Sequence, residues 1–202
     1  EAFERNGSIE PIPGVLLHTA EGLKPTAADP VLIDLRESRT PARHTVARYQ
    51  RHYCCLNYMP VWSLETARGC RHRCQFCSVW QFHQQTVRFH PVDSVREDFE
   101  ATGENVFIVD DTFWEESVPS DELATALLQS GSRKNWMLAQ SRADVVAAQP
   151  ELLDRWRKLA TKFDIFFGFE APTRDALRAL HKDSDVTAIG DAIKVARETG
   201  FG

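Results

Sequence analysis

The chain has 202 residues, a length that suits one domain with part of a second. Hydrophobic residues make up 43% and charged residues 26%, which excludes a disordered or low-complexity chain. Lysine and arginine number 24 against 29 aspartate and glutamate, and the net charge of −5 argues against a nucleic-acid partner held by a broad basic field.

The first 60 residues are predicted to be the tail of a preceding domain followed by a linker. Six of the ten prolines lie there: Pro11, Pro13, Pro25, Pro30, Pro41 and Pro60. Proline fixes φ and removes a backbone donor, so we expect extended segments and turns, with one short helix over Ala42–Arg51. The chain begins at Glu1, with no secretion signal and no apolar run near ~18 residues. We therefore expect a cytoplasmic excerpt of a longer protein, without a transmembrane segment.

From residue 61 onward, short apolar runs alternate with helical stripes, which is typical of a βα repeat. Strands buried on both faces of a parallel sheet are predicted over Val61–Thr66, Val106–Val109, Trp136–Ala139 and Ile165–Phe169. Apolar stripes predict four helices, over Val92 to Phe99, Leu123 to Leu128, Leu152 to Leu159 and Ile189 to Ala196. Pro91 precedes the first helix and Pro150 the third. Ser120 is the candidate N-cap of the second helix, which would stop at Gly131, and Gly200 would close the fourth.

The step of about thirty residues from strand to strand predicts an α/β fold with a parallel sheet, either open or closed into a barrel. Residues 1–60 would precede this core, and residues 61–202 would form it. Four βα units leave one sheet edge open, and a fifth strand would begin at Phe201–Gly202. We therefore expect the core to continue past these four units.

Three of the five cysteines lie within eight residues, directly after the first predicted strand. Cys70, Cys74 and Cys77 follow Gly69 with C-x3-C-x2-C spacing. Thiolates are soft ligands that select iron–sulfur clusters, zinc or Cu(I). Three protein ligands on a four-iron cluster would leave one iron open, and an open coordination position separates catalytic from structural metal sites.

Three other interpretations of these cysteines stay open at this point. A zinc site would need a fourth ligand, for which His72 or His83 is available. An electron-transfer ferredoxin would need a fourth cysteine, and the candidates are Cys54 and Cys55 in the proline-rich stretch. The three cysteines could also be buried structural residues that share this spacing by coincidence.

The motif resembles the hallmark of the radical SAM superfamily, in which C-x3-C-x2-C follows the first strand and an aromatic residue, here Phe76, precedes the last cysteine. This resemblance implies a partial (β/α) parallel barrel of about four βα units. It also implies a [4Fe-4S] cluster on Cys70, Cys74 and Cys77, whose open iron would bind the amino and carboxylate groups of S-adenosylmethionine. One electron from the cluster would then cleave the sulfonium bond to give a 5′-deoxyadenosyl radical.

Within that superfamily, the chain is similar to the cobalamin-dependent branch and to hopanoid C-3 methylase-like proteins. The segments that carry this similarity are Ser63–Cys70, Cys77–Trp80 and Phe107–Phe113. Residues 1–40 resemble the tail of a cobalamin-binding domain and its linker, especially over Ile9–Val15, so the domain before the core is expected to be cobalamin-binding-like. The resemblance implies methylation of an unactivated carbon in a small-molecule or lipid substrate, hopanoid-like for example, and an electron donor such as flavodoxin or ferredoxin. Whether cobalamin is bound stays open, because no complete cobalamin-binding domain lies in this sequence. The alternatives are a radical SAM cyclase or oxidoreductase of the same domain order, or a non-catalytic iron–sulfur or zinc module.

The resemblance assigns contacts with S-adenosylmethionine to residues around the cysteine loop and after the second strand. Phe76 and Trp80 flank the loop and would meet the adenine or shield the cluster. Asp110 and Asp111 occupy the position that the family often fills with Gly-Gly-Glu, and a carboxylate there would accept hydrogen bonds from the cofactor amino group. The structural alternative is that one of the two caps the following turn.

Polar residues after the third and fourth strands are assigned to the same cofactor. Gln140 and Arg142 lie where the family binds the ribose and the carboxylate, and Arg142 would pair with the carboxylate or, as a surface residue, with Asp144. Glu170 would bind the ribose hydroxyls or form a salt bridge within the barrel mouth, because a carboxylate beside a buried strand needs a partner.

Overall fold

A computed structural model describes residue 9 and residues 12–26, 31–182 and 184–202. The chain divides into two compact units, Glu1–Asp34 and Leu35–Gly202. This division lies earlier in the chain than the predicted boundary after Pro60. The origin of residues 1–60 in a cobalamin-binding domain stays a prediction, and part of the segment that carries it lies outside the described residues.

The first unit contains an antiparallel hairpin of β1 (Leu16–Thr19) and β2 (Gly22–Pro25). Gly22 takes a φ of 116°, a backbone conformation that residues other than glycine rarely adopt. The Thr19 hydroxyl donates to the Gly22 carbonyl at 2.8 Å and closes the turn.

The second unit begins with two 3₁₀ turns, Leu35–Glu37 and Arg43–Val46. Its strands are β3 (Trp62–Leu64), β4 (Ala67–Arg68), β5 (Arg88–Phe89), β6 (Asn105–Ile108), β7 (Lys134–Ser141) and β8 (Ala160–Phe167). Its α-helices are α1 (Ala47–Gln50), α2 (Val79–Phe82), α3 (Val92–Ala101), α4 (Ser117–Gln129), α5 (Ala143–Ala147), α6 (Pro150–Arg157), α7 (Arg174–Ala179) and α8 (Val186–Glu198). The second 3₁₀ turn and α1 together occupy the short helix predicted from the sequence.

Four strands form one parallel sheet in the order β3-β6-β7-β8, which confirms the predicted α/β class. The register pairs Leu64 with Ile108, Ile108 with Ala139, and Ala139 with Ile165, so the strands end along one edge. Because parallel strands point the same way, the loops that follow them meet at that edge, where α/β folds place their sites. The short strands β4 and β5 pair with each other, outside this sheet.

The predicted strand positions are right, but two strands extend beyond their apolar runs. β7 begins at Lys134 and β8 at Ala160, before the apolar runs, because exposed polar residues such as Asn135 and Thr161 interrupt the buried ones there. β8 ends at Phe167, before the predicted end at Phe169, and Glu170 just beyond has a φ of 51°, which lies outside the strand region.

Three of the predicted helices appear as α3, α6 and α8, whereas the predicted start of α4 is wrong. Ser120 lies inside α4 instead of capping it, and its carbonyl accepts the indole N–H of Trp156 at 3.1 Å. The helix begins at Ser117, because Pro119 is tolerated in a first turn, where its missing N–H needs no partner.

Residues 35–60, predicted to be a linker, pack within the second unit. Arg43 donates two hydrogen bonds to the buried carboxylate of Asp98 in α3, at 2.8 and 2.7 Å. Tyr58 stacks on Trp136 of β7 with ring centroids 4.1 Å apart. Tyr58 also packs against the small apolar cluster of Val61, Trp136 and Leu138, so residues 35–60 take part in the packing of this unit.

The outer face of the sheet carries the main core under the helices. This core is rich in large side chains, among them Phe99, Leu127, Leu153, Trp156 and Phe163. Burying each such side chain contributes about 1.5–3 kcal/mol, so the sheet and its helices stabilise one another. In the described ranges, no helix is long and apolar enough to cross a membrane.

Phe201 and Gly202 pair with the open edge of β8. The Gly202 N–H donates to the Phe163 carbonyl at 2.9 Å, and the Gly202 carbonyl accepts the N–H of Ile165 at 3.0 Å. In a parallel ladder, the N–H and the carbonyl of one residue bond to two different residues of the neighbouring strand, as Gly202 does here. This pairing agrees with the prediction that a strand begins at these two residues.

Candidate functional site

A cavity of about 380 Å³ opens at the edge where the parallel strands end. It collects nine of the ten predicted site residues: Cys70, Cys74, Phe76, Cys77, Asp110, Asp111, Gln140, Arg142 and Glu170. The tenth, Trp80, lies behind the cysteine loop and donates its indole N–H to the Cys74 carbonyl at 3.3 Å. Loops from β3, β6, β7 and β8 thus bring together residues separated by a hundred positions in the chain.

The cysteine loop is anchored at its start and in its middle. Gly69 has a φ of 103°, and a Cβ atom there would collide with the carbonyl of Thr86, so only glycine fits before the first cysteine. Its N–H donates to the carboxylate of Asp111 at 2.8 Å. In the middle of the loop, the N–H of Gln75 donates to the carbonyl of Leu180 at 2.9 Å.

The three thiols lie on the wall of one cavity, with Cys74 buried and the other two half-buried. Burial raises the pKa of the Cys74 thiol, the positive charges of Arg142 and Lys182 lower it, and the nearby Cys70 and Cys77 raise it further. The thiols are therefore close enough to interact electrostatically. No disulfide joins them, which leaves all three available as ligands.

This donor set fits an iron–sulfur cluster better than a single metal ion. Within the described part of the chain, no group of three or more His, Cys, Asp or Glu side chains is arranged to hold one ion. The zinc interpretation, with His72 or His83 as fourth ligand, requires such a group. A four-iron cluster instead takes each cysteine on a different iron, so its ligands surround a larger volume.

The two carboxylates after β6 have protein partners. Asp110 is buried and accepts hydrogen bonds from the backbone N–H of Thr66, at 2.7 Å, and from the Thr66 hydroxyl. Burial raises the pKa of Asp110 to about 7, although these hydrogen bonds oppose the shift. Asp111 holds Gly69, as described, and lies 3.6 Å from Nε2 of His83. Neither carboxylate makes the turn cap that the sequence left open, because Asp110 binds Thr66, before the cysteine loop, and Asp111 binds Gly69 at its start.

Arg142 makes the alternative contact with Asp144 but is not a surface residue. Its guanidinium donates to both Asp144 oxygens, at 3.0 and 2.8 Å, while only 7% of the residue is exposed. A third nitrogen, Nη1, lies 4.0 Å from Sγ of Cys74. Gln140 is exposed and lines the same wall of the cavity.

Glu170 pairs with Lys182, a residue that the sequence gave no reason to select. The Lys182 ammonium donates to the Glu170 carboxylate and, at 2.5 Å, to the carbonyl of Gly168. Glu170 takes a φ of 51°, a conformation uncommon outside glycine, and the ion pair helps to hold it. This is the salt bridge in the barrel mouth that was the alternative to a ribose contact.

Comparison with known proteins assigns the family. Residues 64–202 match the family described as the radical SAM superfamily. The chain belongs to the radical SAM superfamily. This match confirms the predicted superfamily, whose enzymes use a [4Fe-4S] cluster and S-adenosylmethionine.

Along its whole length, this radical SAM chain is 31% identical to the hopanoid C-3 methylase of Methylococcus capsulatus and spans 38% of that protein. Its fold is similar to that of OxsB, a cobalamin-dependent S-adenosylmethionine radical enzyme solved with aqua-cobalamin bound. That match has a TM-score of 0.78 and 15% identity, over 99% of this chain and 30% of OxsB.

A second solved structure has the same fold: the radical S-adenosylmethionine methyltransferase TsrM from Kitasatospora setae, with cobalamin and a [4Fe-4S] cluster bound. The TM-score is 0.66 with 14% identity, over 99% of this chain and 41% of TsrM. The radical SAM chain described here therefore spans less than half the length of each of these relatives.

Sequence reasoning missed three polar residues on the cavity wall of this radical SAM chain. Lys182 and Thr112 have no motif spacing that marks them, and His72 was considered as a zinc ligand but not as a residue that binds S-adenosylmethionine. The Thr112 hydroxyl donates to Sγ of Cys70 at 3.5 Å. His72 pairs with the largely buried carboxylate of Glu115 at 3.0 Å. Only Thr112 had an available signal, since it follows the Asp110-Asp111 pair directly.

Proposed function

We propose that this chain is the catalytic core of a cobalamin-dependent radical SAM methyltransferase, acting on an unactivated carbon of a lipid such as a hopanoid. The observation that carries the proposal is the single cavity that collects the three thiols and the polar residues of four strand ends. Its 31% identity to a protein named hopanoid C-3 methylase supports the choice of reaction and substrate class.

In this proposal, Cys70, Cys74 and Cys77 hold a [4Fe-4S] cluster. When bound, the cluster supplies the single electron that cleaves S-adenosylmethionine. The protein's part is to exclude water and to fix the geometry: the two anchors of the loop, Gly69 and Gln75, keep the thiols on the cavity wall. An electron donor such as flavodoxin or ferredoxin would supply the reducing equivalent.

The polar residues of the cavity are proposed to bind S-adenosylmethionine. Gln140 and Glu170 present an amide and a carboxylate to the cavity, groups that suit ribose hydroxyls. Arg142 and Lys182 place two positive charges near Cys74, which favours the cofactor carboxylate on that side. Phe76 is 56% exposed at the cavity and offers an apolar face to the adenine.

Three apolar side chains in the cavity lining support a lipid substrate. They are Phe107, Val109 and Phe166, and Phe166 is 58% exposed. Covering exposed apolar side chains with an apolar ligand stabilises the complex by about 25 cal/mol per Å² buried. The cavity thus offers apolar surface as well as the polar groups beside the cysteines.

The radical half of the proposal is tested by anaerobic reconstitution with iron and sulfide, followed by S-adenosylmethionine and dithionite. We expect 5′-deoxyadenosine, measured by liquid chromatography and mass spectrometry, because the cluster would have an open iron for the cofactor. Reconstitution with zinc instead of iron is the matched control and should give none. A chain that takes up iron and sulfide but forms no 5′-deoxyadenosine would be a non-catalytic module, against the proposal.

The methyl-transfer half needs a labelled cofactor. With methyl-labelled S-adenosylmethionine, added cobalamin and a hopanoid, the label is expected in the lipid. Label that stays in the cofactor, while 5′-deoxyadenosine still forms, would favour the alternative of a radical SAM cyclase or oxidoreductase and would contradict methylation.

A further inference from the structure

Two of the three cysteine sulfurs face a hydrogen-bond donor from outside the cysteine loop. The Thr112 hydroxyl donates to Sγ of Cys70 at 3.5 Å. The Arg142 guanidinium lies 4.0 Å from Sγ of Cys74, at the outer limit of a hydrogen bond to sulfur. Of the two donors, Thr112 makes the closer contact, and no charge accompanies it.

Thr112 is held in place by its neighbours on both sides. Asp110 is fixed by two hydrogen bonds from Thr66. On the other side, the N–H of Phe113 donates to the Gln140 carbonyl at 2.9 Å, and the Phe113 carbonyl accepts the hydroxyl of Ser141 at 2.7 Å. The segment that carries Thr112 is therefore tied to the link between β3 and β4 and to β7, so its hydroxyl is placed before any cofactor binds.

Burial makes this contact more effective. Only 7% of Thr112 is exposed, so water competes little for its hydroxyl. In such surroundings a hydrogen bond is electrostatically stronger than in water. Hydrogen bonds to the ligand sulfurs are one of the factors that set the reduction potential of an iron–sulfur cluster.

We propose that Thr112 is a positioning residue that raises the reduction potential of the cluster through its hydrogen bond to Cys70. Reduction adds negative charge, part of which resides on the thiolate sulfurs, and a donor aimed at one of them stabilises the reduced state. The effect makes the cluster easier for an electron carrier to reduce. The inference rests on the proposed role of the three cysteines as cluster ligands.

The test is a potentiometric titration of the reconstituted chain without S-adenosylmethionine, followed by the EPR signal of the reduced cluster. Thr112→Val removes the hydroxyl at nearly constant volume and should shift the midpoint to a more negative potential. Thr112→Ser keeps the hydroxyl and should titrate close to the wild type. Thr102→Val is the matched control, because Thr102 is also 7% exposed but its hydroxyl donates to the Phe99 carbonyl.

The outcomes separate this inference from the function on which it rests. A full cluster in Thr112→Val with the wild-type midpoint overturns the role of Thr112 alone. A wild-type chain that assembles no [4Fe-4S] cluster overturns both. If valine prevents assembly, Thr112→Ala removes the hydroxyl without placing a methyl group against the sulfur and should show the same negative shift. If Thr112→Val and Thr112→Ala both fail to assemble the cluster while Thr112→Ser assembles it, the hydroxyl is necessary for cluster assembly. That result would contradict a role in setting the reduction potential.

Discussion

At the scale of single residues, the buried carboxylate of Asp110 couples the cavity to pH. Burial raises its pKa from 3.8 to about 7, against the hydrogen bonds from Thr66. Between those two pH values the folded chain holds a proton that the unfolded chain has released. The contribution of Asp110 to the free energy of unfolding is therefore fully present at low pH and is lost as the pH rises through about 7.

Asp110→Asn removes this proton linkage, because an amide does not titrate. When the pH is raised from 5 to 8, the wild type should lose stability that the variant keeps. The free energy of unfolding of the variant minus that of the wild type should therefore rise by an amount on the order of 3 kcal/mol. Urea denaturation of the metal-free chain at both pH values measures the difference. Asp154→Asn is the control, because Asp154 is exposed and its surface pair with Lys158 contributes less than about 1 kcal/mol. A stability difference for Asp110→Asn that is equal at both pH values would contradict the buried, protonated carboxylate.

At the scale of elements, an ion pair with a buried carboxylate is one of the contacts that attach the segment before β3. Asp98 in α3 is 6% exposed, and Arg43 supplies two hydrogen bonds to its carboxylate. Arg43 also donates to the Ser63 carbonyl of β3 at 2.7 Å. Removing the arginine leaves a carboxylate without its partner in a buried place, which costs more than the pair itself contributes.

Arg43→Met should therefore lower the free energy of unfolding by roughly 3 kcal/mol. Arg96→Met is the matched control on the same helix, because Arg96 pairs with Asp93 at the surface, and it should cost less than about 1 kcal/mol. Urea denaturation of both variants gives the comparison. Equal losses would show that residues 35–60 do not depend on the buried pair.

The same scale shows which elements the sequence could predict. Apolar runs and stripes identified the four sheet strands and three of the long helices, because burial selects residue type along their whole length. β4 and β5 were missed, since a two-residue strand such as Ala67–Arg68 has no periodicity to detect. The start of α4 was missed because Ser120 has a good capping side chain, yet tertiary contact with Trp156 buries it.

At the scale of the whole molecule, the sequence predicted the cavity better than its internal contacts. Residues at the carboxyl ends of parallel strands lie at the same edge of the sheet, independent of the conformation of the loops. The sequence could therefore place Asp110, Gln140 and Glu170 at the cavity. Lys182 was not, because it reaches the cavity from beyond a helix that follows the last strand. The partners of Asp111 and Arg142 depend on side-chain directions, which spacing alone does not determine.

The four strand ends and the cysteine loop bring three thiols to one cavity, where the proposal places a four-iron cluster. Iron and sulfide content and the EPR spectrum of anaerobically reconstituted Cys74→Ala test this directly, with Cys54→Ala, an exposed cysteine outside the loop, as the control. We expect about four irons per chain and a reduced-cluster signal in the wild type and in Cys54→Ala, and loss of both in Cys74→Ala. A Cys74→Ala chain that keeps its iron and its signal would contradict the ligand assignment.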